Sequence, residues 1–270
     1  TKLRDVILAE GACSDSGLNT MRFNGLHFAP VADFDLLTKA VSGNAGNYVT
    51  TVNRYLSEHT AQRADAITSL FMSNHDQDRA AESFGRDAAK EKQAAAMLLT
   101  TPGKPFVYQG EELGYWGTKA GGDEFVRTPI LWTPSTGSAA SKGVNNKVDN
   151  TMLKAEISVE AQESDANSLL NVYRTWSRLR NTYPALADGK MTDAALGGGS
   201  SIDTAKAIGV TAACGGDFWD YMSAGTGGRK PITGMLPVVA IPTTAGTGTE
   251  VDPRGVITRE DTHEKMGFGS

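Results

Sequence analysis

Short apolar runs alternate with longer helix-like stretches through the first two-thirds of this chain. That order calls for strands joined by helical crossovers, hence a parallel sheet, rather than for hairpins. Val6–Ala9, Phe28–Phe34, Ser69–Ser73 and Pro105–Tyr108 are the strand candidates. The last is preceded by Asp87–Thr100, rich in Ala, Lys, Gln and Leu as a helix should be, and Pro102-Gly103 ends that helix. Asn167–Thr182 repeats the helical period, with Leu169, Leu170, Tyr173, Trp176, Leu179 and Tyr183 on one apolar stripe expected to be core.

Polar residues collect at or just past the C-terminal ends of these strands: Glu10, then Asp33 and Asp35, then Asn74-His75-Asp76, then Gln109 to Glu112. In a closed parallel β/α sheet that edge is where substrates bind. Any one of them reads equally well as a helix cap or solvated loop; their succession points to a functional rim. The polar stretch Gly121–Asn150 extends that rim as a long loop. After Pro184 the vocabulary changes. Glycine becomes frequent, and a new unit opens with Asp193–Leu196, the run Gly197 to Ser200 and a helix through Ile208. Leu236–Ile241 follows as another apolar strand.

Composition excludes several classes. A net charge of -5 supplies no clustered basic face, so nucleic acid is not expected as a partner. No apolar run approaches the roughly 18 residues of a membrane span. Cys13 and Cys214 fall in different halves, which argues against a disulfide framework, and His27, His59, His75 and His263 show no metal-ligand spacing. No metal site is expected. The chain opens at Thr1 and runs straight into a strand-like stretch, which predicts an incomplete start.

Phe71-Met72-Ser73-Asn74-His75-Asp76 resembles the last short signature of the α-amylase superfamily of glycoside hydrolases. The likeness continues through Asp78-Arg79, Gly103 to Gly114 and Asp123 to Trp132, while Ile7-Leu8-Ala9-Glu10 is similar to the strand carrying that family's acid. The resemblance covers about residues 1–188. It implies an α/β fold in which those residues form part of a (β/α)8 barrel, with strands resembling the fifth to the eighth. It also implies a retaining mechanism on starch or maltooligosaccharides, with a protonating acid and an oxocarbenium-like transition state. On that resemblance Glu10 would be the general acid, and Asp76 the carboxylate that grips sugar hydroxyls and stabilises developing positive charge. His75 would hydrogen-bond the sugar, Asn74 would position the turn, and Arg79 would be a structural ion-pair partner. The nucleophile strand is expected upstream of Thr1, so this part is expected to be inactive alone, and it needs no cofactor.

Gly197-Gly198-Gly199-Ser200 with Ile202 to Ile208 resembles the phosphate-binding motif of iron-containing alcohol dehydrogenases. Asp217 to Tyr221, Ile241 to Val251 and Glu264 to Gly267 follow in that family's order. Glycines after a strand let backbone approach a pyrophosphate, and the helix N-terminus behind them favours an anion. The resemblance covers about residues 192–270 and implies a partial Rossmann-like unit binding NAD(H) or NADP(H). Gly198, Gly199, Ser200, Thr243, Thr244 and Thr247 would line the site, and Asp203 would bind cofactor or cap the helix. The family's iron ligands are expected beyond this chain, and His263 in its polar turn is not one of them.

Residues 1–188 and 189–270 are thus expected as two lobes hinged near residues 187–192, with oligomeric state open. The truncated edges favour an artefactual fusion over an evolved bifunctional enzyme. Three functions follow: an α-glucan hydrolase by ancestry, an alcohol dehydrogenase fragment, or a non-catalytic fusion with residual sugar or nucleotide binding. The first part is typical of exported enzymes and the second of cytoplasmic ones.

Overall fold

A computed structural model of the chain describes residues 26–28, 48–62, 64, 67–134, 154–191, 198–240 and 247–269. Two compact units divide it, Thr1–Met191 and Thr192–Ser270. No described helix is long and apolar enough to cross a membrane.

In the first unit, strands β1 (Leu26–Phe28) and β2 (Ile67–Ser69) pair in parallel, with Leu26 opposite Ile67 and Phe28 opposite Ser69. Helix α1 (Tyr48–Gln62) lies between them in sequence and supplies the crossover that parallel pairing requires. A parallel bridge joins Phe71 to Phe106, and the Phe106 N–H donates to the Leu70 carbonyl over 2.8 Å. This is the α/β order expected. Only part of each expected strand is seen: Phe28–Phe34 is described as far as Phe28, Ser69–Ser73 is strand at Ser69 alone, and Pro105–Tyr108 contributes the single bridge at Phe106. Val6–Ala9 lies outside the described residues.

The core sits among helices. The short α2 (Ala80–Ser83) leads into α3 (Ala88–Thr100), which starts where Asp87 accepts from the Ala89 and Lys90 N–H groups at 2.9 and 3.2 Å. Its buried run Ala94–Leu99 is half alanine, which lets neighbouring backbone approach closely, and Ala94, Ala95 and Leu98 are wholly buried. After α4 (Asp123–Val126) and α5 (Val159–Ser164), helix α6 (Leu169–Thr182) packs along α3. Ser168 caps α6 by accepting from the Asn171 N–H at 3.2 Å. Leu169, Leu170 and Tyr173 of the expected stripe are buried, whereas Tyr183 at its end is exposed because the chain leaves the helix there.

Arg180 locks the two helices together. One terminal nitrogen of its guanidinium donates to the carbonyls of Leu99 and Thr101 at 2.8 Å and of Leu186, in α7 (Ala185–Asp188), at 2.9 Å. The other reaches the Gly103 carbonyl. Carbonyls at a helix C-terminus have no partner within the helix, and a buried cation satisfies them while complementing the helix dipole.

The second unit is built on α8 (Gly199–Cys214), which runs six residues past the expected end at Ile208. A hairpin of β3 (Gly255–Arg259) and β4 (Glu264–Phe268) packs on it, with Gly255 opposite Phe268 and Arg259 opposite Glu264. Ala207, Trp219, Met222 and Phe268 form its core, and Phe218 meets Phe268 edge-on at 4.7 Å. His263 lies in the hairpin turn with φ 54. The expected strand Leu236–Ile241 does not form over Leu236–Ala240. With no described strand beside it to complete a ladder, that segment has no regular secondary structure, and its residues alternate between half-buried and exposed.

Candidate functional site

Past β2 and the Phe71 bridge the chain turns sharply through Asn74-His75-Asp76. Asn74 makes the turn itself, its side-chain oxygen accepting the Asp76 N–H at 2.9 Å. The Asp76 carboxylate is thereby presented outward, with its side chain 59% exposed. His75 Nε2 stands 3.3 Å from Asp76 Oδ2. The opposite oxygen, Oδ1, accepts from Lys119 Nζ at 3.2 Å and from Arg127 Nη2 at 3.0 Å. Asp123 on α4 contacts the same two cations, at 2.5 Å to Lys119 and 2.9 Å to Arg127. The Lys119 ammonium above all, then His75 and Arg127, hold the Asp76 carboxyl below its ordinary range. An exposed, ionised carboxylate beside an imidazole can accept sugar hydroxyls and stabilise positive charge.

Beneath this surface lies a buried scaffold. Arg79 is 1% exposed, and its terminal Nη1 donates to the Gln109 carbonyl at 2.8 Å. Its guanidinium stacks over the rings of Tyr108 at 4.9 Å and Tyr115 at 5.4 Å. The expected ion pair of Arg79 is therefore replaced, among the described residues, by a carbonyl and two aromatic faces. Burial pulls its pKa down, opposed by the phenols and by Glu111 and Glu112. Gln109 is exposed and donates to the Thr128 carbonyl at 3.0 Å.

Glu111, expected on the rim with Gln109, is instead buried at 5% exposure. Gly110 adopts φ 84 there, and a Cβ on it would lie 2.6 Å from the Tyr115 ring; only glycine permits the turn that aims Glu111 inward. Ser73 Oγ donates to one carboxyl oxygen at 2.8 Å, and Tyr173 OH to the other at 3.0 Å. Burial pushes the Glu111 carboxyl up to about 8 against those two hydrogen bonds. Glu91 on α3, bordering the same small cavity of about 10 Å³, is raised by burial to about 7.

In the second unit Gly198 precedes α8, and Gly199 and Ser200 form its first turn. Helix geometry leaves N–H groups of a first turn without helical partners. A Cβ on Gly199 would approach Thr247 Cβ to 3.2 Å, so the glycine lets the Thr247 segment close on the helix start. Thr247 itself donates to Glu250 at 3.1 Å. Asp203 does not cap the helix. One of its oxygens accepts the Val256 N–H at 2.8 Å, and the other meets the Thr249 hydroxyl. Lys206, one turn on, is buried and donates to the carbonyls of Thr249, Asp252 and Arg254 at 2.6, 2.7 and 2.6 Å. Together they brace the wall of a cavity of about 540 Å³ lined in part by Asp203, Ser223, Thr247 and Arg254.

Of the residues expected to act, Asn74, His75 and Asp76 come together, as do Gly198, Gly199, Ser200 and Thr247. Glu10, Asp33, Asp35, Thr243 and Thr244 lie outside the described residues. No three His, Cys, Asp or Glu side chains converge as metal ligands among the described residues. Sequence reasoning passed over Lys119, Asp123 and Arg127 as site residues. Their spacing of four is the available signal, since it places both cations within reach of Asp123.

Comparison with known proteins accords with two origins. The alpha amylase catalytic domain model matches residues 19–189, more than half of the chain, and the iron-containing alcohol dehydrogenase model matches residues 186–270. Glu10 precedes both matches. Alpha-amylase SusG of Bacteroides thetaiotaomicron is 47% identical over 138 residues, 51% of this chain and 19% of its own. The NAD-dependent methanol dehydrogenase of Bacillus methanolicus is 52% identical over 71 residues, 26% of this chain and 18% of its own. A third relative belongs to neither group: the DeoD-type purine nucleoside phosphorylase of Clostridium novyi is 69% identical over 39 residues, 14% of this chain and 17% of its own. This chain thus spans less than a fifth of each of these relatives. Among solved structures, the alpha-amylase from H. orenii superposes with a TM-score of 0.53 at 28% identity, covering 65% of this chain and 35% of that one. The chain belongs to the alpha amylase catalytic-domain family through residues 19–189, and its residues 186–270 are similar to the iron-containing alcohol dehydrogenases.

Proposed function

We propose that the first unit derives from a glycoside hydrolase acting on α-glucans, as one part of a (β/α)8 barrel, and that it keeps the sugar-gripping edge of that enzyme's site. The observation that carries this is the Asn74-His75-Asp76 turn, with Asp76 exposed, ionised and flanked by His75. Asp76 would accept sugar hydroxyls and stabilise an oxocarbenium-like transition state, and His75 would hydrogen-bond the same sugar. Asn74 would keep the turn. The 47% identity to Alpha-amylase SusG supports an α-glucan over other sugars. Calorimetric titration of the full chain with maltooligosaccharide tests the reading. Saturable binding that Asp76→Asn abolishes is expected, and binding unchanged in that variant would overturn it.

The second unit supports a separate reading as a nicotinamide-dinucleotide unit, by its glycine-led α8 and by likeness to an NAD-dependent dehydrogenase. The described residues fit a pyrophosphate at one place, the first turn of α8, where Gly198, Gly199 and Ser200 would hold it. Bound there, the dinucleotide would supply hydride chemistry; this chain's residues only bind and orient it. Asp203 has both oxygens engaged within the fold, which favours a bracing role over cofactor contact. Fluorescence titration with NADH and NADPH, beside Gly199→Val, tests this assignment, and equal affinity in the variant would remove it.

A further inference from the structure

Among the described residues, Lys119 and Arg127 are the lysine and arginine paired with Asp76, and they are held differently. Arg127 reaches three groups with one planar guanidinium: Nη2 donates to Asp76 Oδ1 at 3.0 Å and meets Asp123 Oδ2 at 2.9 Å, while Nε donates to the His75 carbonyl at 3.2 Å. It therefore fixes the His75–Asp76 backbone and the Asp76 carboxylate together, from the end of α4. Lys119 Nζ touches Asp76 at 3.2 Å but Asp123 at 2.5 Å, so it keeps an anionic partner when it leaves Asp76. Its compact ammonium on a flexible stem can swing between the two carboxylates, where the rigid guanidinium fork cannot.

Two backbone N–H groups fix the ground beneath these contacts. The Lys119 N–H donates to Asp78 Oδ1 at 2.6 Å, and the Arg79 N–H donates to the Gly117 carbonyl at 3.0 Å. Residues 117–127 are thus laid against the 75–79 turn at points that do not use the Asp76, Lys119 or Arg127 side chains. The charged and titratable groups facing Asp76 are His75, Lys119, Arg127, Asp123 and the Tyr108 phenol.

We propose that Arg127 is a positioning residue of the sugar site, fixing the His75–Asp76 turn and its carboxylate, and that Lys119 is the releasable partner a sugar hydroxyl displaces onto Asp123. The proposal rests on the α-glucan reading for its ligand and on the geometry alone for Arg127.

The test is a ¹³C-carboxyl NMR titration of Asp76 in the full chain, beside calorimetry with maltooligosaccharide, for wild type, Arg127→Gln, Arg127→Lys and Lys119→Met. Arg127→Gln should raise the Asp76 titration midpoint and weaken maltooligosaccharide binding about ten-fold, the scale of one charge-assisted hydrogen bond. Arg127→Lys should return the midpoint towards wild type, because the charge is restored, while recovering affinity only in part. Lys119→Met should bind at least as tightly as wild type. An Asp76 titration unmoved by Arg127→Gln overturns the positioning role, and a loss in Lys119→Met equal to that in Arg127→Gln overturns the division of roles. A wild-type chain that binds no maltooligosaccharide sinks the α-glucan reading, whereas the titration still decides for or against Arg127.

Discussion

Replacing Glu111 by glutamine should make the first unit more stable, and increasingly so as pH rises. The wild-type carboxyl is buried, hydrogen-bonded by Ser73 and Tyr173, and pushed from an ordinary 4.5 up to about 8. An acid whose pKa is raised by folding contributes its full stability below the unfolded value, and loses it as pH climbs through the folded one. The window is therefore pH 4.5 to about 8. At about 1.4 kcal/mol per pH unit, wild type should lose on the order of 3 kcal/mol between pH 5 and pH 8 that the glutamine variant does not. Glutamine preserves the shape: its carbonyl accepts from one hydroxyl and its amide donates to the other. Urea unfolding of both proteins at pH 5, 6, 7 and 8 gives the difference directly, with contributions common to both cancelling. A stability difference that stays constant across that range would refute the buried-acid account.

Two further perturbations address the packing of each unit. Leu98→Ala, at a wholly buried position of α3, should cost about 3 kcal/mol through lost burial and the cavity left behind, measured as a lower urea midpoint. Lys206→Met should leave the carbonyls of Thr249, Asp252 and Arg254 without their shared donor. Amide exchange across residues 249–256 should then quicken while α3 exchanges as before; unchanged exchange at 249–256 would remove Lys206 as the brace.

Helices were the legible part of this fold. Asp87 and Ser168 announce their caps, and the Ala-rich run to Thr100 and the Leu169–Tyr173 stripe carry their period locally. Strands were less so, because a strand exists only where another lies beside it. Pro105–Tyr108 keeps one bridge, and Leu236–Ala240 is apolar without becoming sheet. The Asn74-His75-Asp76 turn could be found by its motif, but its electrostatics could not. Lys119 and Arg127 reach Asp76 only through the return of residues 117–127 to that loop. Glu111 was misplaced on the rim for a related reason: its inward aim is set by the positive φ of Gly110, which composition does not display.

Hydrogen exchange of the full chain, measured by mass spectrometry with maltooligosaccharide and then with NADH, tests most directly that two sites of different ancestry share this chain. The account predicts that maltooligosaccharide slows exchange across residues 71–79 and 117–127 and leaves 198–206 unchanged. NADH should slow residues 198–206 and leave 71–79 unchanged. Protection of 198–206 by the sugar, or no protection of 71–79 by it, would contradict the account.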